Sequence, residues 1–297
     1  MADSPRLLIT GASGYVGQQL MAAAAWEQAV WLGRKEVATA NYTRIRRYDE
    51  EHLAEYVQSA DVVIHLAAAV RGRDQDAMIA ANVELTSGLI GLMEKYNPSA
   101  RLIFFSTDLA TSEYSLYGRS KNRAEQLIGA SALDAVCLRA SMIVGEKGGP
   151  LGATFDALTK LSRLKVLPVP NGGRFLVRPL WIGDIIQVLH ALIGRRGQDA
   201  DRGVWSMYGA SIRFVDLMRQ LARAQGNKPL LVPFPVQCIT WPGRALLRLR
   251  PQTQVPIDFL VALAEAAKKE EPDVFQHLGI ERAPVDRIVQ RRSCGLK

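Results

Sequence analysis

The sequence predicts an α/β chain: a doubly wound parallel sheet followed by a smaller C-terminal lobe. Three observations predict it. In the first half, short apolar runs alternate with helical patterns. The first run opens through a glycine-rich turn, "TGASGYVG", into a helix. After about residue 146 the alternation gives way to Gly- and Pro-rich breaks and longer helices.

In chain order, the strand candidates are 6–10, 29–33, 61–70, 101–107 and 135–144. They are apolar without strict alternation, as expected for strands buried on both faces of a parallel sheet. Helical patterns fill 17–26, 50–60, 82–96 and 120–130. Right-handed crossovers then place helices on both faces. Gly148, Gly149, Pro150, Pro168, Pro170, Asn171, Gly172 and Gly173 interrupt the pattern, and helices follow at 182–194, 213–226 and 257–269. The texture divides the chain into 1–146 and 147–297, with some later segments returning to the first part.

The chain has 297 residues, of which 48% are hydrophobic, enough for a large core. No apolar run has the length to span a bilayer, and the N-terminus lacks a charged-then-apolar leader. Cys137, Cys238 and Cys294 fit neither a metal site nor a disulfide framework. The expectation is a cytoplasmic protein with free thiols and no bound metal. The net charge is +8, but the basic groups are not interleaved with aromatics as on a nucleic-acid platform. We read the charge as solvated surface that favours phosphate, with no nucleic-acid partner. Trp241 to Pro251, "WPGRALLRLRP", is basic and amphipathic. A lobe helix is its simpler reading beside contact with a membrane surface.

Glycines sit at the first strand-to-helix turn for a physical reason. Gly11 permits the tight turn, Gly14 lets a pyrophosphate approach the backbone, and Gly17 lets the helix pack closely. Ser13, Tyr15 and Val16 then bring backbone N–H groups to a helix N-terminus that attracts the anion. The first part is therefore expected to be a Rossmann-type NAD(P)-binding domain. The second candidate strand ends in Gly33-Arg34-Lys35. Two cations at that turn favour a ribose 2′-phosphate, hence NADP(H) over NAD(H).

Tyr117 and Lys121 stand four apart at the start of a helical pattern, so their side chains share a face. An ammonium beside a phenol is expected to lower the phenol's pKa and equip it for proton transfer.

The loop "TGASGYVG" resembles the "TGxxGxxG" of the extended short-chain dehydrogenase/reductase superfamily, in its epimerase/dehydratase branch. The resemblance runs through roughly residues 5–235. It implies that Tyr117 is the acid/base, that Lys121 binds the nicotinamide ribose and tunes Tyr117, and that Thr107 orients the substrate. It places Asp49 of "RRYDEEHL" at the adenine amino group. It lays Leu66, Ala67 and Ala68 of "HLAAAV" along the cofactor, leaving His65 as a strand-end residue. Asn82 of "ANVELTSGL" becomes the structural Asn behind the site.

Ser106 and Asp108 flank Thr107 and are further substrate-side candidates, with Asp108 also a candidate turn cap. Met142, Arg174 and Arg178 are the lobe's substrate candidates, the two arginines on a Gly-flanked strand suited to an anion. Asp184 is read as a helix cap. Three departures bear on the substrate. Leu109 follows Asp108 where dehydratases carry Glu, Tyr117 follows Thr107 by only ten residues, and Met142 replaces the Asn that contacts a substrate diphosphate. "KVLPVPNGGRFLVRPLWIGDIIQVL" resembles an atypical branch related to a respiratory-complex accessory subunit.

The expected activity is NAD(P)-dependent hydride transfer on a hydroxyl or keto carbon of a small molecule, a nucleotide sugar among the candidates. Reductase and epimerase both remain open. The alternative is a non-catalytic NADP-binding redox sensor or assembly subunit. The resemblance also implies a homodimer formed through the helix carrying Tyr117 and its neighbour.

Overall fold

A computed structural model describes residues 4–23, 26, 28–45, 50–69, 75–112, 115–145, 153–235 and 271–294. Asp49, Cys238, the stretch Trp241 to Pro251 and the helix expected at 257–269 lie outside the described residues. The fold forms two compact units. The first comprises Met1–Ala140, Ile182–Met207 and Glu271–Ile280; the second comprises Ser141–Trp181, Tyr208–Glu270 and Glu281–Lys297. The chain thus returns to the first unit twice.

The first unit is built on β1 (Leu7–Thr10), β2 (Ala29–Gly33), β3 (Tyr42–Arg44), β4 (Val62–His65), β5 (Arg101–Thr107) and β6 (Ala135–Ala140). A late strand, Gly203–Met207, completes a seven-stranded sheet. Every pairing in that sheet is parallel, and the order runs from the late strand through β6, β5, β4, β1 and β2 to β3. Strand order reverses between β1 and β4. In open parallel sheets ligands bind at such a switch point, beyond the carboxyl ends of the strands.

Both sheet faces are covered. On one face Leu8, Leu32, Val63, Leu102, Phe104 and Cys137 pack with α2 (Glu50–Ser59), α3 (Gln75–Tyr96) and α4 (Leu116–Ala130). These helices supply Leu53, Val57, Leu89, Met93, Ala124 and Ile128 to the same core. Burial at about 25 cal/mol per Å² of apolar surface drives this packing. α1 (Tyr15–Ala22) and a later helix, Ile182–Gly194, also belong to this unit and pack against each other.

Two candidate strands differ from expectation. The 61–70 run stops at His65, because Leu66–Ala69 is a loop passing beneath Gly11. The 135–144 run breaks at Ser141, the first residue of the second unit.

The second unit carries β7 (Ile143–Val144), α5 (Ala153–Leu161), β8 (Val166–Pro170), β9 (Leu176–Val177) and β10 (Leu180–Trp181). With the late strand numbered β11 and the Ile182–Gly194 helix α6, it continues through β12 (Ile212–Arg213), α7 (Phe214–Ala224) and β13 (Leu230–Phe234). Its strands form three two-stranded sheets, β10 with β7, β12 with β9, and β13 with β8. The helix Val285–Cys294 also belongs to it, and Arg292 ion-pairs with Asp156 at 2.6 Å. No helix among the described residues is long and apolar enough to cross a membrane.

Candidate active site

The glycine loop lies at the switch point. Gly11 has φ +74°, the left-handed region, and a Cβ there would overlap the backbone of Ala67. Gly17 faces Ala12 so closely that a Cβ would sit 2.5 Å from its Cα. It therefore seats α1 on its own loop rather than on a strand. Gly14 is the N-cap of α1 and no side chain caps the helix. A Cβ on Gly14 would meet only the Gly11 carbonyl, at 3.0 Å. An uncapped helix start beside an open glycine is a cradle for a pyrophosphate, so these residues fit a dinucleotide.

The basic turn after β2 adjoins this loop. Ser13 Oγ accepts from the Lys35 N–H at 3.4 Å, and the Tyr42 hydroxyl donates to the Lys35 carbonyl. The Arg34 and Lys35 side chains are exposed. Glu36, the next residue, pairs with Arg44 at 3.6 Å.

Behind the loop runs a buried polar relay. His65 Nδ1 lies 2.6 Å from Thr10 Oγ1, and its Nε2 lies 3.3 Å from Thr86 Oγ1. Burial, with Lys121 nearby, pushes the His65 pKa down to about 3, so the ring is neutral. Asn82 Oδ1 accepts from the Ala69 N–H at 2.6 Å, while Nδ2 donates to the Ala69 carbonyl and, at 2.9 Å, to Ser120 Oγ. Ser120 donates in turn to the Tyr117 carbonyl at 2.8 Å. Asn82 therefore ties the loop after β4 to the first turn of α4.

Thr107 ends β5 and caps the following 3-10 turn, Asp108–Thr111. Its Oγ1 accepts from the Leu109 N–H at 3.3 Å and donates to Asp108 Oδ1 at 3.2 Å. The capping expected of Asp108 is thus performed by Thr107. Ser115 caps α4 by accepting from the Gly118 N–H at 2.9 Å.

Tyr117 and Lys121 both lie on α4. Lys121 is 2% exposed, and its Nζ sits 4.1 Å from the centre of the Phe104 ring. Burial pulls its pKa down to about 7, against the opposing charge of the Glu125 carboxylate. The lowered phenol pKa expected from the sequence is reversed. Burial pushes the Tyr117 hydroxyl above its ordinary value, and the Asp108 carboxylate adds to the rise.

Ser106 is buried beside α4. Its hydroxyl donates to the buried carboxylate of Glu125. Arg139 Nη2 donates to the other Glu125 oxygen at 2.6 Å, and its Nη1 to Glu271 at 2.5 Å. This chain joins β5, α4, β6 and the returning segment 271–280.

Met142, Arg174 and Arg178 belong to the second unit. The Met142 carbonyl accepts from the Leu180 N–H at 2.8 Å. Neither arginine lies on a strand: Arg174 follows the 3-10 turn Asn171–Gly173, and Arg178 follows β9. Positive φ at Gly172 and Gly173 breaks the extended run. Arg178 Nε donates to Ser211 Oγ at 3.3 Å, with its guanidinium 5.0 Å from the Tyr208 ring centre. Asp184 sits, buried, in the first turn of α6 rather than at its cap.

Sequence reasoning passed over Gly118, Ser120, Glu125 and Arg139. Ser115 and Ser120 had a local signal, since serines favour caps and back-bonding at helix starts. The Arg139–Glu271 pair, 132 residues apart, had none. Burial pushes the Cys137 thiol up to about 12, so it stays protonated. No group of His, Cys, Asp or Glu among the described residues is arranged to hold a metal.

A parallel sheet with a glycine cradle at its switch point, and a Tyr and a Lys on the helix after β5, define a dinucleotide-dependent enzyme of the short-chain type. A sequence model of the NAD dependent epimerase/dehydratase family matches residues 7–205, and the chain belongs to that family.

Solved structures share the fold. The protein designated gox2253 is 20% identical, with a TM-score of 0.74 over 99% of this chain and 98% of that one. UDP-N-acetylglucosamine 4-epimerase from Bacillus cereus is 15% identical, with a TM-score of 0.73 over 98% of this chain and 99% of that one. UDP-glucuronic acid 4-epimerase from Bacillus cereus, solved in complex with NAD, is 16% identical, with a TM-score of 0.70 over 98% of each chain. No curated protein gives a significant sequence match.

Proposed function

We propose that this protein catalyses reversible hydride transfer at a hydroxyl-bearing or keto carbon of a small molecule, with Tyr117 as acid/base. The observation that carries this reading is the juxtaposition of Asp108 and a half-buried Tyr117, with Lys121 on the same helix. The nicotinamide of NAD(P), when bound, donates or accepts the hydride. Tyr117 retains its proton at neutral pH and so acts first as a donor to a carbonyl oxygen. The Thr107 hydroxyl has committed its proton to Asp108 and one lone pair to Leu109. Its remaining lone pair accepts from a substrate hydroxyl. Lys121 holds the nicotinamide ribose, and Gly11, Ser13, Gly14, Tyr15, Val16 and Gly17 hold the pyrophosphate. Ser106 is assigned to positioning, since its hydroxyl is spent on Glu125.

Within this reading the cofactor is NADP(H) in preference to NAD(H). Exposed Arg34 and Lys35 beside Ser13 support it, and the following acid, Glu36, is engaged by Arg44. The substrate class takes in nucleotide sugars, which the similar solved epimerases are named for. A homodimer rests on the family resemblance, and a cytoplasmic location on the cysteine pattern of the sequence. A sensor or assembly subunit has no use for Thr107, Tyr117 and Lys121 together.

The test is a screen of carbonyl compounds and nucleotide sugars with the wild type and Tyr117→Phe. Turnover should fall by roughly 10²- to 10⁴-fold in the variant while cofactor affinity is kept. Full turnover by Tyr117→Phe would overturn the assignment.

A further inference from the structure

Most of the large apolar side chains that are exposed among the described residues cluster in one place in the second unit: Leu161, Leu164, Val166, Leu230 and Val232. β8 and β13 pair in parallel with Val166 opposite Leu230 and Pro168 opposite Val232. Alternation sends these four residues outward, while Leu167 and Val169 turn into the core. Leu230 is 65% exposed and Val166 53%. The turn bearing Leu161 and Leu164 is held beside this sheet. Asn227 Nδ2 donates to the Ser162 carbonyl at 2.8 Å and the Leu164 carbonyl at 3.1 Å, and the Leu230 N–H to Lys165 at 2.8 Å. A contiguous outward apolar face on a two-stranded sheet marks an interaction site.

Its surroundings say what kind. Lys160, Arg163, Lys165, Arg223 and Lys228 are exposed on the flanking segments. The sequence contains no Asp or Glu at 157–183 or at 217–257. The stretch after β13 keeps this composition, with Trp241, Arg244, Leu246, Leu247, Arg248, Leu249 and Arg250. A second copy is disfavoured, because apposing two such faces would bring like charges together. An interface of anionic headgroups over acyl chains complements both features at once.

We propose that the β8–β13 face, with its basic rim, docks on an anionic lipid surface. The proposal uses no residue of the candidate active site and stands apart from the catalytic reading.

The test is co-sedimentation of the full chain with vesicles of phosphatidylcholine alone and of phosphatidylcholine mixed with phosphatidylglycerol. The protein should pellet with the anionic vesicles, and salt should release it. The pair Val166→Ser and Leu230→Ser should weaken binding roughly tenfold or more. The triple Lys160→Glu, Lys165→Glu and Lys228→Glu should do the same, and at exposed positions it keeps the proposal testable if the apolar variant unfolds. A thermal melt of each variant separates lost binding from lost folding. No binding to anionic vesicles would overturn the proposal. So would a concentration-dependent dimer that the Ser variants dissolve, which would assign the face to a second copy.

Discussion

A Cβ at Gly118 would overlap the carbonyl oxygen of Leu109. The first turn of α4 and the 3-10 turn after β5 therefore meet only because residue 118 has no side chain. Tyr117 and Asp108 are the immediate neighbours of these two residues, so the contact sets their approach. Gly118→Ala should force the turns apart. We expect a destabilisation of about 1–3 kcal/mol by chemical denaturation and, from misplacement near 1 Å, a loss of about 10² in kcat. Unchanged stability and kinetics would show that the two turns yield freely.

Lys121 gives stability a pH signature. Its pKa is pulled down from 10.5 to about 7 in the folded state. Between those values the unfolded chain binds the proton and the folded chain does not, so this group makes stability rise with pH across that window. Below pH 7 both states are charged and the full cost of burying the ammonium is present. The slope reaches about 1.4 kcal/mol per pH unit at full differential binding. Lys121→Met should remove this rise and be relatively more stable at low pH. Urea melts of both proteins from pH 6 to about 10 check it.

Glu125 accepts from Ser106 and Arg139 and is buried. Glu125→Gln should leave the Arg139 guanidinium with Glu271 as its remaining charge partner and cost about 3–5 kcal/mol. Ser106→Ala removes one neutral donor to the same carboxylate and should cost less, about 1–3 kcal/mol. Thermal or urea unfolding ranks the two; the reverse order would contradict the network described.

In the proposed reading, Arg34 and Lys35 carry the cofactor preference. Replacing both with Ser should weaken NADPH binding by one to two orders of magnitude, roughly, and leave NADH binding nearly unchanged. Equal losses for the two cofactors would assign these residues to general phosphate attraction. That comparison needs only binding, not a known substrate.

The parts legible in the sequence are those whose physics is local. β2 spans Ala29–Gly33 and α6 spans Ile182–Gly194, both at their expected limits, because burial wrote continuous apolar or periodic patterns there. The glycine loop was legible because close backbone approach admits one residue type. What escaped depends on distant chain. The Gly203–Met207 strand pairs with β6 from much later in the chain, and Glu271 reaches Arg139 across 132 residues. The direction of the Tyr117 pKa escaped too. Spacing shows that Lys121 shares its face, but burial and Asp108 decide the sign. Arg174 and Arg178 read as strand residues, yet positive φ at Gly172 and Gly173 breaks the run before Arg174, and β9 ends at Val177.

The most direct measurement is titration of the purified protein with NADPH and NADH, followed by nicotinamide fluorescence, alongside Gly14→Asp. The glycine cradle predicts saturable binding to the wild type, and the role proposed for Arg34 and Lys35 predicts tighter binding of NADPH. The cradle also predicts loss of binding in the variant, where a carboxylate would enter the pyrophosphate position. Absence of binding to the wild type, or undiminished binding to Gly14→Asp, would contradict the account.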